Sequence, residues 1–102
     1  MRKIEKLVRN NIPKIIENKN KKCKIKILND KEYFDELNKK LVEETNEYIA
    51  SKNVEELADI VEVVRAILKF KKMPYSAFEK TRKHKAKSNG DFESRIFLIE
   101  TE

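Results

Sequence analysis

Glu43, Glu44 and Glu47, joined downstream by Glu56 and Asp59, are the residues of this chain whose types and spacing could do chemistry. Side chains three or four positions apart share a helix face, so Glu43 and Glu44 each converge with Glu47, and Glu56 converges with Asp59. Like charges held together that way repel, by roughly a few tenths of a kcal/mol per exposed pair and by more where water is excluded. Stacked carboxylates therefore point to something cationic that neutralises them. Mg²⁺ and Mn²⁺ suit the donors, because both prefer oxygen ligands in near-octahedral arrays and leave room for water and phosphate. A plainer reading stands beside this one. Charged residues make up 41% of the chain, so acidic pairs can arise on solvated helix faces with no ligand. Asn53 followed three residues later by Glu56 is also a helix-start signature, in which the carboxylate would only return a hydrogen bond to the Asn53 backbone.

The composition narrows what could position these acids. The chain has 102 residues, read as one domain over residues 1–102, with a core small enough that a partner subunit could supply much of the burial. One Gly and two Pro leave little room for loops and exclude glycine-rich phosphate cradles. Lys and Arg outnumber Asp and Glu by 24 to 18 for a net charge of +6. The excess lies at the ends: residues 1–26 are strongly basic, and Lys69, Lys71, Lys72, Lys80, Arg82, Lys83, Lys85 and Lys87 face only Glu79, whereas residues 30–62 are acidic. An acidic centre between basic flanks fits a metal site that receives a polyanion. It also fits a generic basic protein that binds nucleic acid loosely. The lone Cys23 has no zinc-ligand partners and reads as a small apolar residue in a reducing compartment. His84 reads as a surface residue. No run is long enough to span a membrane and the basic start lacks a signal-peptide core, so a cytoplasmic protein is expected.

Apolar Ile4, Leu7, Val8, Ile12, Ile15 and Ile16 fall at near-helical spacing interrupted by Pro13, which predicts one short helix or two half-helices parted at Asn10. After a polar loop, CKIKIL alternates apolar and basic residues as a half-buried strand would, and RIFLIE near the other end is short, β-branched and aromatic. The expected fold is mainly α, an antiparallel helical bundle with a minor two-stranded ribbon joining residues 23–28 to 95–100. Asp30 is read as the N-cap of a helix from Lys31 to Ala50 with an apolar stripe of Phe34, Leu37, Leu41 and Tyr48. A tight connection at residues 51–53 leads to a second helix from Val54 to Lys71, antiparallel to the first, which would bring the two acid pairs together. That second helix is apolar on nearly every side, which predicts an oligomer interface. Pro74 opens a third helix over residues 75–87, with Ala77, Phe78 and Thr81 inward, and Gly90 ends it.

The acids in the order Glu-Glu-x-x-Glu then Glu-x-x-Asp, set within KLVRNNIP, KKLVEETNEYIAS, VEELADIVEVVRAILK and NGDFESRIFLIE, resemble the MazG-like all-α nucleoside triphosphate pyrophosphohydrolases. The likeness spans nearly the whole chain and is to a small branch labelled phosphoribosyl-ATP pyrophosphohydrolase-like. It implies a helical dimer or tetramer that uses Mg²⁺ to split a nucleoside triphosphate into monophosphate and pyrophosphate, removing unwanted or surplus nucleotides. By that resemblance Glu44, Glu47, Glu56 and Asp59 fall on the metal ligands, Glu43 on the first place of the motif as ligand or base, and Glu62 on an outer position. Where the branch reads Arg-Asp-Lys-Ile-Pro this chain has Arg9, Asn10, Asn11, Ile12 and Pro13; where it reads Arg-Gly-Gly-Phe this chain has Asn89, Gly90, Asp91 and Phe92. Those departures fall near expected phosphate or base contacts and bear on the substrate more than on the metal.

The expected mechanism has metal-bound water attacking a phosphate, with Glu43 or Glu47 as base. Arg9, Lys83 and Lys87 are the candidates for holding the triphosphate, and Tyr48 and Phe92 for stacking on a base, although aromatics at helical spacing are more often core. The rival reading is a catalytically weak helical module that binds nucleotide, or nucleic acid through residues 82–87, with the acids structural.

Overall fold

A computed structural model describes residues 2–102, and they form four helices and, among the described residues, no strand. They are α1 (Ile12–Asn18), α2 (Asp30–Ser51), α3 (Val54–Phe70) and α4 (Tyr75–Asn89). The mainly helical expectation holds; the two-stranded ribbon is not formed. Residues 23–28 and 96–102 run without secondary structure, because β-propensity without a paired neighbour leaves backbone groups to water and gains nothing.

The α2–α3 hairpin is the packed unit. Asn29, not Asp30, caps α2: its Oδ1 accepts the Glu32 N–H at 2.9 Å while the Glu32 carboxylate accepts the Asn29 N–H at 3.2 Å. Asp30 becomes the first helical residue, where its charge still favours the helix N-terminus. At the other end Lys52 adopts φ 60° and its N–H returns to the Tyr48 carbonyl, so Lys52 and Asn53 turn the chain in two residues. Leu37, Val63 and Leu68 are buried between the helices. The open end of the hairpin is closed by aromatics, with Phe34 stacked on Phe70 at 5.1 Å and Tyr33 edge-on to Phe70 at 5.8 Å.

Little else in the chain is covered. α1 starts at Ile12, so the expected helical run over residues 4–11 is absent and those residues form an arm. Neither α1 nor α4 contains a buried residue. α4 is held near its start, where the Arg65 guanidinium lies 4.6 Å over the Tyr75 ring; Phe78 is half-buried, whereas Ala77 and Thr81 are exposed. The nearly all-apolar α3 leaves Val54, Leu57 and Val61 exposed. The radius of gyration is 18.0 Å, against about 13 Å for a compact chain of this length.

Candidate metal centre

The hairpin places the acids of α2 and α3 side by side in the half nearest its turn. Glu43, Glu44 and Glu47 form one carboxylate group and Glu44, Glu56 and Asp59 a second, each offering oxygens that all lie within 4.8 Å of one another. Glu44 belongs to both. It is also the one buried charged residue among those described, 8% exposed, and its Oε2 has no hydrogen-bond partner. A buried, unpartnered carboxylate oxygen is costly and is rarely left so in a native fold.

Glu56 does not serve as a helix cap. The Asn53 side chain makes no capping bond, and the Asn53 N–H donates instead to Ser51 Oγ at 3.1 Å. The Glu56 carboxyl is thereby left to gather with Glu44 and Asp59.

Three cations reach the acids. Lys40, one turn before Glu44 on α2 and itself mostly buried, lies 3.1 Å from Glu43 Oε2 and 3.6 Å from Glu44 Oε1. The N-terminal arm brings the other two, Lys6 Nζ at 2.9 Å from Glu43 Oε1 and an Arg9 terminal nitrogen at 2.7 Å from Asp59 Oδ1. Five acids against three cations leave two formal negative charges.

These neighbours divide the acids electrostatically. The hydrogen bond from Lys6, supported by Lys40, holds the Glu43 carboxyl below the usual glutamate range despite some burial. The same contact pushes the Lys6 ammonium up. Burial pushes Glu44 up, and the adjacent Glu47 pushes it further than Lys40 pulls it back. Loss of hydration also raises Glu56, reinforced by the charges of Glu47 and Asp59.

Of the substrate-binding residues read from the sequence, Arg9 is brought to the acids. Lys83 and Lys87 are not: they stand exposed on α4 with no ion pair to any of the five. Glu62 belongs to neither carboxylate group and borders a shallow depression with Tyr33, Arg65 and Phe70. Glu43 and Glu47 border another, with Lys39, Val42, Asn46 and Ala50 of the same helix. Tyr48 is half-buried and Phe92 is 97% exposed. Lys6 and Lys40 were not anticipated at the site. Lys40 carries a readable signal, standing three and four residues before Glu43 and Glu44; Lys6 carries none. Compared with known proteins, the chain matches no family model, no curated protein and no solved structure.

Proposed function

We propose that this chain is a divalent-metal-dependent pyrophosphohydrolase that cleaves a nucleoside triphosphate into monophosphate and pyrophosphate, clearing surplus or unwanted nucleotides in the cytoplasm. The observation that carries the reading is Glu44, a buried carboxylate shared by two acid groups, with one oxygen lacking any partner. The donor set fits a hard divalent ion: every ligand is a carboxylate oxygen, and the two uncompensated negative charges match its charge. Glu44, Glu47, Glu56 and Asp59 would hold Mg²⁺ or Mn²⁺. Such an ion, when bound, lowers the pKa of a coordinated water and offsets charge on the phosphate oxygens and leaving pyrophosphate.

The rest falls to the chain's own side chains. Glu47 makes no ion pair among the described residues and is the better placed of the two candidate bases to take a proton from water. Glu43, kept ionised between Lys6 and Lys40, is a poorer proton acceptor and instead anchors those two cations. Arg9 and Lys6 put positive charge at the rim, where a polyphosphate would need it. Lys83 and Lys87 could join them only through a dimer or tetramer, which the reading includes; one chain keeps them apart from the acids. No described helix is long and apolar enough to cross a membrane.

The test incubates the purified protein with canonical and modified nucleoside triphosphates and Mg²⁺ or Mn²⁺, beside Glu44→Gln, with products identified by chromatography. Monophosphate plus pyrophosphate, lost in the variant, is the expected result. Intact nucleotides across the panel would overturn the hydrolase, and metal binding retained alongside them would point to the binding module.

A further inference from the structure

Ile96, Phe97, Leu98 and Ile99 are respectively 86%, 87%, 74% and 84% exposed. Four consecutive large apolar residues this bare are not an ordinary solvated segment, because nothing among the described residues removes that surface from water. The β-branched and aromatic run suits a strand covered on both faces. Residues 23–28 offer the complement. Ile25 and Ile27 are 62% and 86% exposed, the segment carries no secondary structure and no ladder, and its backbone N–H and C=O groups make no bond to another described backbone group, which leaves them free for an added strand.

Charge sets the direction. Antiparallel pairing that places Ile25 opposite Ile99 also places Ile27 opposite Phe97 on one face, and Lys24 opposite Glu100 and Lys22 opposite Glu102 on the other. Arg95 then falls at the Asn29–Asp30 end. Parallel pairing would instead set Arg95 among the lysines and Glu100 beside Asp30.

Area decides whose strand it is. The chain exposes 9771 Å², whereas a compact monomer of 12.1 kDa exposes about 6,000 Å². Folding the arm back within one chain would cover a single strand. It would leave Val42, Ile49, Val54 and Val61 of the hairpin bare, and the ribbon without a layer beneath it, since neither α1 nor α4 buries a residue. An excess of roughly 3,700 Å² per chain, about 7,400 Å² for a pair, is more than the roughly 2,000–5,000 Å² in total that obligate dimers commonly bury, so a second copy has ample surface to cover.

We propose that two copies of this chain exchange C-terminal arms, residues 96–101 of one pairing antiparallel with residues 23–28 of the other, while the exposed faces of their α2–α3 hairpins come together. The pairing is independent of the metal centre and of what the acids do.

The register places Thr101 opposite the native Cys23, so Thr101→Cys reports both partner and alignment. Mild oxidation followed by non-reducing electrophoresis should double the mass of the Thr101→Cys chain, and Cys23→Ser in the same chain should abolish that product. Glu100→Cys, whose side chain points to the opposite face, should crosslink far less. A crosslink that leaves the chain at monomer mass would show the ribbon closing on itself and overturn the exchange. Equal crosslinking from positions 100 and 101, or none from either, would also overturn it. Chemical crosslinking is read beside sedimentation of the unmodified protein, which should run as a dimer or a multiple of one; a monomer there would overturn the proposal even if the substituted arm were reactive.

Discussion

Glu44→Gln should reverse its effect on stability according to whether metal is present. In the metal-free protein Glu44 is 8% exposed and Oε2 is unpartnered, while its attraction to Lys40 at 3.6 Å is of the same size as its repulsion from one acid within 4.8 Å, each about 3–5 kcal/mol at an effective dielectric near 20. Glu47 alone more than offsets Lys40. What remains is the cost of a buried, unsatisfied charged oxygen, about 1–3 kcal/mol. A glutamine keeps the shape, drops the charge and can donate its amide N–H to Glu47 or Asp59. It should therefore gain about 1–2 kcal/mol, or roughly 5–10 °C in melting temperature for a chain of this size. Metal at about 100 times its dissociation constant should stabilise the native protein by about 2.7 kcal/mol and the variant by far less, so the order inverts. Calorimetry in chelator and then in Mn²⁺ reads both arms. A variant less stable than the native protein in chelator, or an equal response of both to Mn²⁺, would refute the argument that Glu44 is an uncompensated charge awaiting a cation.

Acidification gives a second signature. Glu44 and Glu56 are raised in the folded state, so they favour unfolding as pH climbs past the ordinary value of 4.5; Glu43 is lowered, so its contribution is present above that value and is lost as pH falls below it. Metal-free stability should therefore rise on acidifying from neutral towards the ordinary glutamate value and fall again below it, and a curve declining steadily from neutrality would contradict this. Arg9→Ala frees Asp59 from an exposed pair worth about 0.2–1 kcal/mol, so titration calorimetry should show Mn²⁺ binding tightened by up to about five-fold while turnover drops; weakened binding would mean that Arg9 supports the acids instead of competing for them. Phe70→Ala removes the ring that both Tyr33 and Phe34 touch; half-buried as it is, it should cost about 2–3 kcal/mol in denaturant melts, and a loss below about 1 kcal/mol would show that the aromatic closure does not hold the hairpin.

Much of the hairpin was legible because its signals are local. The 3.6-residue spacing of the acids, the run of apolar residues in α3 and the break at residues 51–53 all act within a few turns, and the structure follows them. The cap at Asn29 was legible too, since Glu32 three residues on completes a capping box, but Asp30 is an equally good capping residue by type and drew the reading one position late. Glu56 shows the opposite error risk: the Asn53 signature was present, and Ser51 took the N–H instead. What no local pattern could show is the arm. Lys6 and Glu43 are 37 positions apart, and Arg9 and Asp59 are 50 apart, so their meeting depends on how the chain folds back, not on any spacing. The ribbon did not form for a related reason: alternation records what a strand would like to cover, not whether the two segments are brought together or given a layer to lie on.

The two-residue link at Lys52 and Asn53 bears on the order in which the molecule assembles. Because it joins the two halves of the acid cluster across so few residues, the cluster belongs to a segment of low contact order and should take shape early, before the arms or α4 find their places. The repulsion among those acids then lies in the folding nucleus, where a perturbation changes the folding rate more than the unfolding rate. A divalent ion in the refolding buffer should accordingly steepen the folding limb's gain in rate over chelator, acting as a template for the hairpin as it forms and not merely as a lock on the finished one.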